Sequence, residues 1–183
     1  ATKPFGIREE LKLPKESKLI IFVGSDFKRK GLDRAIEALS SLSVNNNNAY
    51  LLVVGQDEEK PYKKLIETKG LENRVIFLGP IEEVSALMQE AEVLIHPARE
   101  EAAGNVIIEA IISSLPILTC ESVGFSSLVE NYNSGLVLKG TFIQKEFNEL
   151  LAEILLHDLN EEIKEKMSTH KKNKFFYSRF GYI

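Results

Sequence analysis

The chain has 183 residues, 44% of them hydrophobic and 27% charged, which suits one domain with a substantial core. A net charge of −4 gives no reason to expect a nucleic-acid partner, the single Cys120 excludes an internal disulfide framework, and no apolar run approaches the roughly 20 residues that span a bilayer. The N-terminus has neither a secretory pattern nor an initiator Met, so a cytoplasmic fragment of a longer protein is expected.

Residues 1–18 are polar, contain Pro4 and Pro14, and read as a linker end in which Ile7 to Leu13 can make one or two helical turns. Leu19 to Val23 is a continuous apolar run closed by Gly24, which predicts a buried strand. The polar loop Ser25 to Gly31 follows, and Leu32 to Leu42 has the spacing of an amphipathic helix. After the Asn-rich loop at 45–48 the pattern repeats, with Tyr50 to Val54 as strand, Gly55 at its end, and Lys60 to Lys69 as a helix closed by Gly70. Val75 to Leu78 gives a third strand ended by Gly79 and Pro80, Glu82 to Gln89 a short helix, and Ala91 to Ile95 a fourth strand. Val106 to Ile112 is apolar enough for a buried helix. Pro116 to Cys120 reads as a fifth strand with a core thiol, Gly124 to Asn131 as its helix, and Leu136 to Leu138 as a sixth strand. Ile143 to Leu156 is spaced as an amphipathic helix, and Glu161 to Lys172 continues as a charged one.

Short strands that are apolar on both faces and alternate with helices predict an α/β fold with a doubly wound, parallel, six-stranded, Rossmann-like sheet. Ligands bind such sheets over the carboxyl ends of the strands where the winding reverses. The loops at 24–31 and 97–105, after the first and fourth strands, are therefore expected to meet.

The second of these loops carries the richest chemistry. Seven residues separate Glu101 from Glu109, so with a helix starting near Ala103 one carboxylate lies in the loop and the other about two turns into the helix. Gly104 allows close approach to the backbone, helix N-terminal amides suit phosphate, and carboxylates accept hydrogen bonds from hydroxyls, a combination that fits a sugar nucleotide. Spacing alone equally fits Glu101 as a helix-capping acid and Glu109 as a solvated residue. Arg29 and Lys30, just before Gly31, face the same mouth and suit the growing charge of a diphosphate leaving group; with Lys28 they also read as an exposed basic cluster. No glycine stands between Gly24 and Gly31, so the dinucleotide and phosphate-loop patterns fail and NAD and ATP are disfavoured. His96, closing a strand beside Pro97, reads as a hydrogen-bonded structural residue more than as a general base. His157 and His170 lack the spacing of a metal-ligand set, so no metal site is expected. The run Lys171 to Tyr177 mixes charge with aromatics and fits either an anionic lipid surface or a solvated helix end followed by an apolar face.

Three stretches taken together, Val23 to Arg34, Val53 to Asp57 and His96 to Ala110, resemble the retaining glycosyltransferases of the two-Rossmann-domain type (GT-B, family 4), and within them the lipopolysaccharide core glucosyltransferases. The likeness runs from about Leu19 to Tyr177 and covers only the C-terminal half of that fold. It implies that residues 19–183 bind the donor, expected to be UDP-glucose, and that the parent enzyme transfers glucose to a heptose of the lipopolysaccharide core. By position, the resemblance gives Arg29, Lys30 and Glu101 catalytic roles, the first two on the diphosphate and Glu101 on the donor hexose. Glu109 would bind the ribose hydroxyls, and the backbone of Ala103, Gly104, Asn105 and Val106 the hexose and diphosphate. Gly24 and Ser25 would lie at the phosphates, and Gly79, Pro80 and Ile81 near the base. Many relatives have Arg where this chain has Ser25, so one phosphate contact must come from elsewhere. The resemblance further implies that no metal or other cofactor is needed, and that the saccharide acceptor is held by an N-terminal domain missing here. That domain would also carry any peripheral contact of a cytoplasmic parent with the inner membrane. The last helix, which returns to the N-terminal domain in the family, is expected to break off near Ile183. A different nucleotide sugar or acceptor, or a non-catalytic sugar-nucleotide module, fits the same fold.

Overall fold

The computed structural model describes residues 6–42, 48–156 and 159–171. The rest of the Asn-rich loop, His157, the side chain of His170, the aromatic tail after 171 and the helix expected to break off near Ile183 lie outside the described residues.

Six parallel strands form one sheet in the order β3-β2-β1-β4-β5-β6. They are β1 (Lys18–Val23), β2 (Ala49–Val54), β3 (Val75–Gly79), β4 (Val93–His96), β5 (Ile117–Cys120) and β6 (Gly135–Leu138). Helices follow the strands. They are α2 (Phe27–Lys30) and α3 (Leu32–Leu42) after β1, α4 (Lys60–Thr68) after β2, α5 (Val84–Glu90) after β3 and α6 (Asn105–Ile112) after β4. The set continues with α7 (Ser126–Asn131) after β5, and α8 (Gln144–Leu156) and α9 (Leu159–Lys171) after β6, while α1 (Ile7–Glu10) precedes the sheet. The doubly wound α/β architecture is as the alternation of apolar strands and helices predicts.

The central strands are buried on both faces. Leu19, Ile20, Ile21 and Phe22 in β1, and Val93, Leu94 and Ile95 in β4, are at most 1% exposed, and burying each such side chain is worth about 1.5–3 kcal/mol. Leu32, Ile36 and Leu39 of α3 and Phe147, Leu151 and Ile154 of α8 cover the sheet with fully buried side chains. β1 pairs with β2 on one side and β4 on the other, so the chain winds outward in one direction from β1 and in the opposite direction from β4. The crevice over their carboxyl ends is the switch point.

The stretch ahead of β1 is docked on the domain. Ile7 is buried, and the Arg8 guanidinium donates to the Ser17 carbonyl at 2.8 Å, the Glu90 carbonyl at 3.0 Å and the Glu92 carboxylate at 2.9 Å. Among the described residues no helix is long and apolar enough to cross a membrane.

One local difference bears on the site. The segment expected as a plain loop from Ser25 to Gly31 contains a helical turn, α2. Asp26, at φ 56°, caps it by accepting from the Arg29 amide at 3.3 Å, and Gly31 closes it at φ 81°. Phe27 anchors the turn, its buried ring lying 6.1 Å from Phe22, 5.7 Å from Tyr62 and 6.1 Å from Phe77. Four residues are too few to show a helical period, so the turn has no signature beyond its capping Asp.

Candidate functional site

Adjacent strands end at Val23 and His96, and the loops that leave them are pressed together as expected. The Arg99 amide donates to the Arg29 carbonyl at 2.8 Å. At Gly31 a Cβ would stand 2.2 Å from the Pro97 carbonyl oxygen, so only glycine fits there. The Arg99 guanidinium reaches back across the same seam. It donates to the Lys28 carbonyl at 2.8 Å and grips Asp33 with two parallel bonds of 2.8 and 2.6 Å. Burial pushes the Asp33 carboxyl up, but the Arg99 bonds outweigh it and hold the group below the usual carboxylate range. Arg34 adds a bond to the Pro97 carbonyl at 3.2 Å. Arg99 and Asp33 were given no role by the sequence, because 66 positions separate them and nothing in either neighbourhood signals the pairing.

This seam delivers the predicted cations to the predicted carboxylate. Glu101 accepts from Lys30 Nζ and, at 3.2 Å, from Arg29 Nη1. The Arg29 guanidinium also donates to Asp26 at 2.9 Å and to the Glu100 carbonyl at 3.2 Å. Lys30 and Glu101 are mostly covered, with side chains 16% and 13% exposed, whereas Arg29 is 42% exposed. Burial acts to raise the Glu101 carboxyl, yet the bond and charge of Lys30 and the charge of Arg29 hold it below the usual range, so it is ionised at neutral pH.

Beneath the cluster sits His96, fully buried at the end of β4, with neither ring nitrogen hydrogen-bonded. Burial and the nearby Lys30 charge lower its pKa to about 4, so the ring is neutral at physiological pH. The expectation of a buried structural residue holds, but that of a hydrogen-bonded one does not. The backbone carbonyl is the part that is tied, accepting from Thr119 Oγ1 at 2.9 Å.

The second carboxylate stands nearby on α6. The helix starts at Asn105, later than the expected Ala103, because Gly104 takes the left-handed conformation at φ 94° that ends the loop. Glu109 is therefore about one turn into the helix. It is exposed, and partial burial with no cation beside it raises its pKa. No side chain caps α6, leaving the amide end around Gly104, Asn105 and Val106 without a side-chain acceptor. The loop ahead of it is fixed through its backbone, the Glu101 carbonyl accepting from Gly124 N and the Ala103 carbonyl from Phe125 N, each at 2.8 Å. A Cβ on Gly124 would lie 1.9 Å from the Ala102 carbonyl oxygen.

The remaining candidates line the strand ends. At Gly55 a Cβ would meet the Gly24 carbonyl oxygen at 2.2 Å, and the Gly55 amide donates to the Gly79 carbonyl at 2.9 Å. Gly24, Gly55 and Gly79 thus form a continuous rim from β1 to β3, with exposed Pro80 and half-buried Ile81 beyond it. Ser25 is exposed, and its hydroxyl accepts from the Gln56 amide at 3.4 Å. Among the described residues no group of three or more His, Cys, Asp or Glu side chains is gathered to hold a metal ion. Chemically, then, the crevice offers two cations and a free helix N-terminus to an anion, and two carboxylates to hydroxyl donors.

Comparison with known proteins places the chain in a family. Residues 5–174 match the family described as glycosyl transferases group 1. The chain is 41% identical over 149 residues to the lipopolysaccharide glucosyltransferase WaaG of Escherichia coli K12, covering 81% of this chain and 40% of WaaG. It superposes on a crystal structure of WaaG, a glycosyltransferase involved in lipopolysaccharide biosynthesis, with a TM-score of 0.87 at 38% identity, over 93% of this chain and 47% of that one. A more distant match in fold, at 24% identity, is Anabaena HepE in complex with UDP-glucose, with a TM-score of 0.76 over 95% of this chain and 47% of that one. The chain spans less than half the length of each of these proteins.

Proposed function

The chain belongs to the group 1 glycosyl transferases, and from that premise we propose that residues 19–183 are the donor-binding domain of a retaining hexosyltransferase that uses UDP-glucose in lipopolysaccharide core synthesis. The observation that carries this reading is the meeting of Arg29, Lys30 and Glu101 over the switch point, beside the uncapped start of α6. The identity to a lipopolysaccharide glucosyltransferase supports glucose as the sugar and lipopolysaccharide as the product, and a core heptose is the acceptor this reading assigns.

In this reading the diphosphate lies across Arg29, Lys30 and the amides at Gly104 to Val106. As the glycosidic bond breaks, negative charge grows on the β-phosphate. Fixed cations and backbone dipoles stabilise that charge more in the transition state than in the ground state. Each charge-assisted hydrogen bond of this kind is worth about 1.5–3 kcal/mol. Glu101 accepts from hexose hydroxyls and Glu109 from the ribose, while Gly79 to Ile81 flank the base. The side chains and helix dipole supply the positive charge, so no bound metal is required. The acceptor is held by an N-terminal domain of the parent enzyme, and the 183-residue chain alone binds donor weakly and transfers no sugar.

Calorimetric titration with UDP, UDP-glucose, GDP and NAD, with and without EDTA, tests the reading. UDP and UDP-glucose should bind regardless of EDTA, GDP and NAD should not, and Glu109→Ala should weaken the uridine ligands about tenfold. Unchanged affinity in Glu109→Ala would sink the binding geometry, and preference for GDP would change the donor.

A further inference from the structure

We infer that Glu101 is an internal competitor for the diphosphate site, and that its exchange between the cations and the sugar makes the site prefer intact donor over spent nucleotide. The inference rests on the nucleotide-sugar reading given above.

The Glu101 carboxylate holds both cations, Lys30 directly and Arg29 at 3.2 Å. A carboxylate and a phosphate are both pure acceptors and compete for the same donors. A diphosphate that takes the Arg29 Nη1 and Lys30 Nζ donors now given to Glu101 therefore displaces it. The geometry makes this a side-chain event. The Glu101 backbone is pinned by the Gly124 amide at 2.8 Å and a bridge to Val123, so the carboxylate moves only by rotation about its own torsions. The cations stay where they are. The Lys30 stem lies against Gly24, within 3.3–3.4 Å of where a Cβ would stand, and Arg29 keeps its 2.9 Å bond to Asp26.

The fate of the displaced carboxylate depends on the groups that arrive with the phosphates. The Glu101 side chain is 13% exposed where it pairs with the cations, so giving up both of them is unfavourable unless it gains new donors. The hydroxyl groups of a donor hexose are such donors, and they come attached to the diphosphate. UDP alone displaces Glu101 and offers nothing in exchange. Preference for donor is thus a difference of two free energies, and Glu101 contributes to it by penalising the ligand that lacks a sugar. After transfer, the same carboxylate regains Lys30 and Arg29 and drives UDP off.

The test compares the chain with Glu101→Gln and Asp26→Asn by calorimetric titration with UDP, sodium pyrophosphate and UDP-glucose. Glu101→Gln should bind UDP and pyrophosphate about 5–10-fold more tightly and UDP-glucose no more tightly, so that the preference for donor over UDP collapses. Asp26→Asn should change each affinity less than about twofold, because the Asp26–Arg29 pair is exposed and screened. Weaker or unchanged UDP binding in Glu101→Gln, with the unaltered chain binding UDP normally, overturns the inference and leaves the site reading intact. Equal tightening in Asp26→Asn also overturns it, since any neighbouring carboxylate would then do the same. No binding of UDP or pyrophosphate by either protein removes the site reading and the inference together. Carbon NMR of the unaltered chain needs no variant: the Glu101 carboxylate resonance should move with pyrophosphate and not with uridine, and no movement at saturating pyrophosphate overturns the exchange.

Discussion

Gly31→Ala should be among the most damaging single-methyl additions to this chain. Two costs combine at the site. The residue sits at φ 81°, a left-handed conformation that costs a side-chain-bearing residue about 1–2 kcal/mol. The new Cβ would also lie 2.2 Å from the Pro97 carbonyl oxygen and 3.0 Å from its carbon, so the loops must separate by roughly 1 Å to reach ordinary contact. That movement strains the Arg99 amide bond to Arg29 and the Arg34 bond to Pro97, each worth about 1 kcal/mol. The total is about 3–4 kcal/mol, or a fall in Tm of about 6–15 °C for a chain of this size. Gly70→Ala is the matched control, since Gly70 has φ 65° and nothing lies within 4 Å of its would-be Cβ, leaving only the conformational cost of about 1–2 kcal/mol. Urea denaturation followed by circular dichroism measures both. A difference between the two variants smaller than about 1 kcal/mol would refute the idea that the loops are pressed together through Gly31. The pair should also separate in function, UDP affinity falling in Gly31→Ala and holding in Gly70→Ala.

Arg99→Lys keeps the charge but loses the fork on Asp33 and the bond to the Lys28 carbonyl. Stability should fall by only about 1 kcal/mol for this half-exposed pair, while UDP binding weakens several-fold because Arg29 and Lys30 are less firmly held; an Asp33→Asn variant that lowered stability but left UDP affinity untouched would argue against that coupling. His96 should impose a pH dependence of its own. Its folded pKa of about 4 lies below the ordinary 6.5, so the unfolded chain binds the proton first, and stability is full above pH 6.5 and declines as the pH falls towards 4. The slope between pH 6 and 5 should be about 1 kcal/mol per unit and should flatten in His96→Asn; an equally steep slope in the variant would assign the titration to another group.

The sheet and its switch point were legible in the sequence for one reason: in a parallel sheet covered on both faces, each strand is a short unbroken apolar run, and each run here ends at a residue that breaks the pattern. Gly24 after β1, Gly55 after β2 and Gly79 at the end of β3 marked three of those ends. Less was readable where a structure is shorter than its own period or depends on distant partners. The α2 turn carries both cations yet spans only Phe27–Lys30. The start of α6 moved to Asn105 because a left-handed Gly104 belongs to the loop and not to the helix, which brought Glu109 about half a turn nearer the mouth. The role of Arg99 was invisible, although the residue lay inside the stretch of greatest chemical interest, because its partner Asp33 lies on α3. The unsatisfied ring of His96 was equally hidden, since the sequence shows a polar side chain at a strand end but not whether anything reaches it.

The contacts divide by kind in a way that bears on how such a site turns over. The two loops are joined through backbone, the Arg99 amide on the Arg29 carbonyl and Gly31 against the Pro97 carbonyl, reinforced by the Arg99 fork on Asp33, while the Glu101 carbonyl is tied to Gly124 beyond them. The backbone contacts have no alternative partners and fix where α2 and α6 point. What fills the space between them is side chain: Glu101 shared between Lys30 and Arg29, and Arg29 shared again with Asp26. Charged side chains can trade one partner for another at small net cost, because each lost bond is replaced by one of similar strength. A site that must hold a dianionic diphosphate during bond cleavage and release it afterwards needs both properties at once. Had the cations been held only by backbone carbonyls they would have been unavailable to phosphate; had the loops been joined only by ion pairs, the incoming phosphates would have opened the seam along with the site.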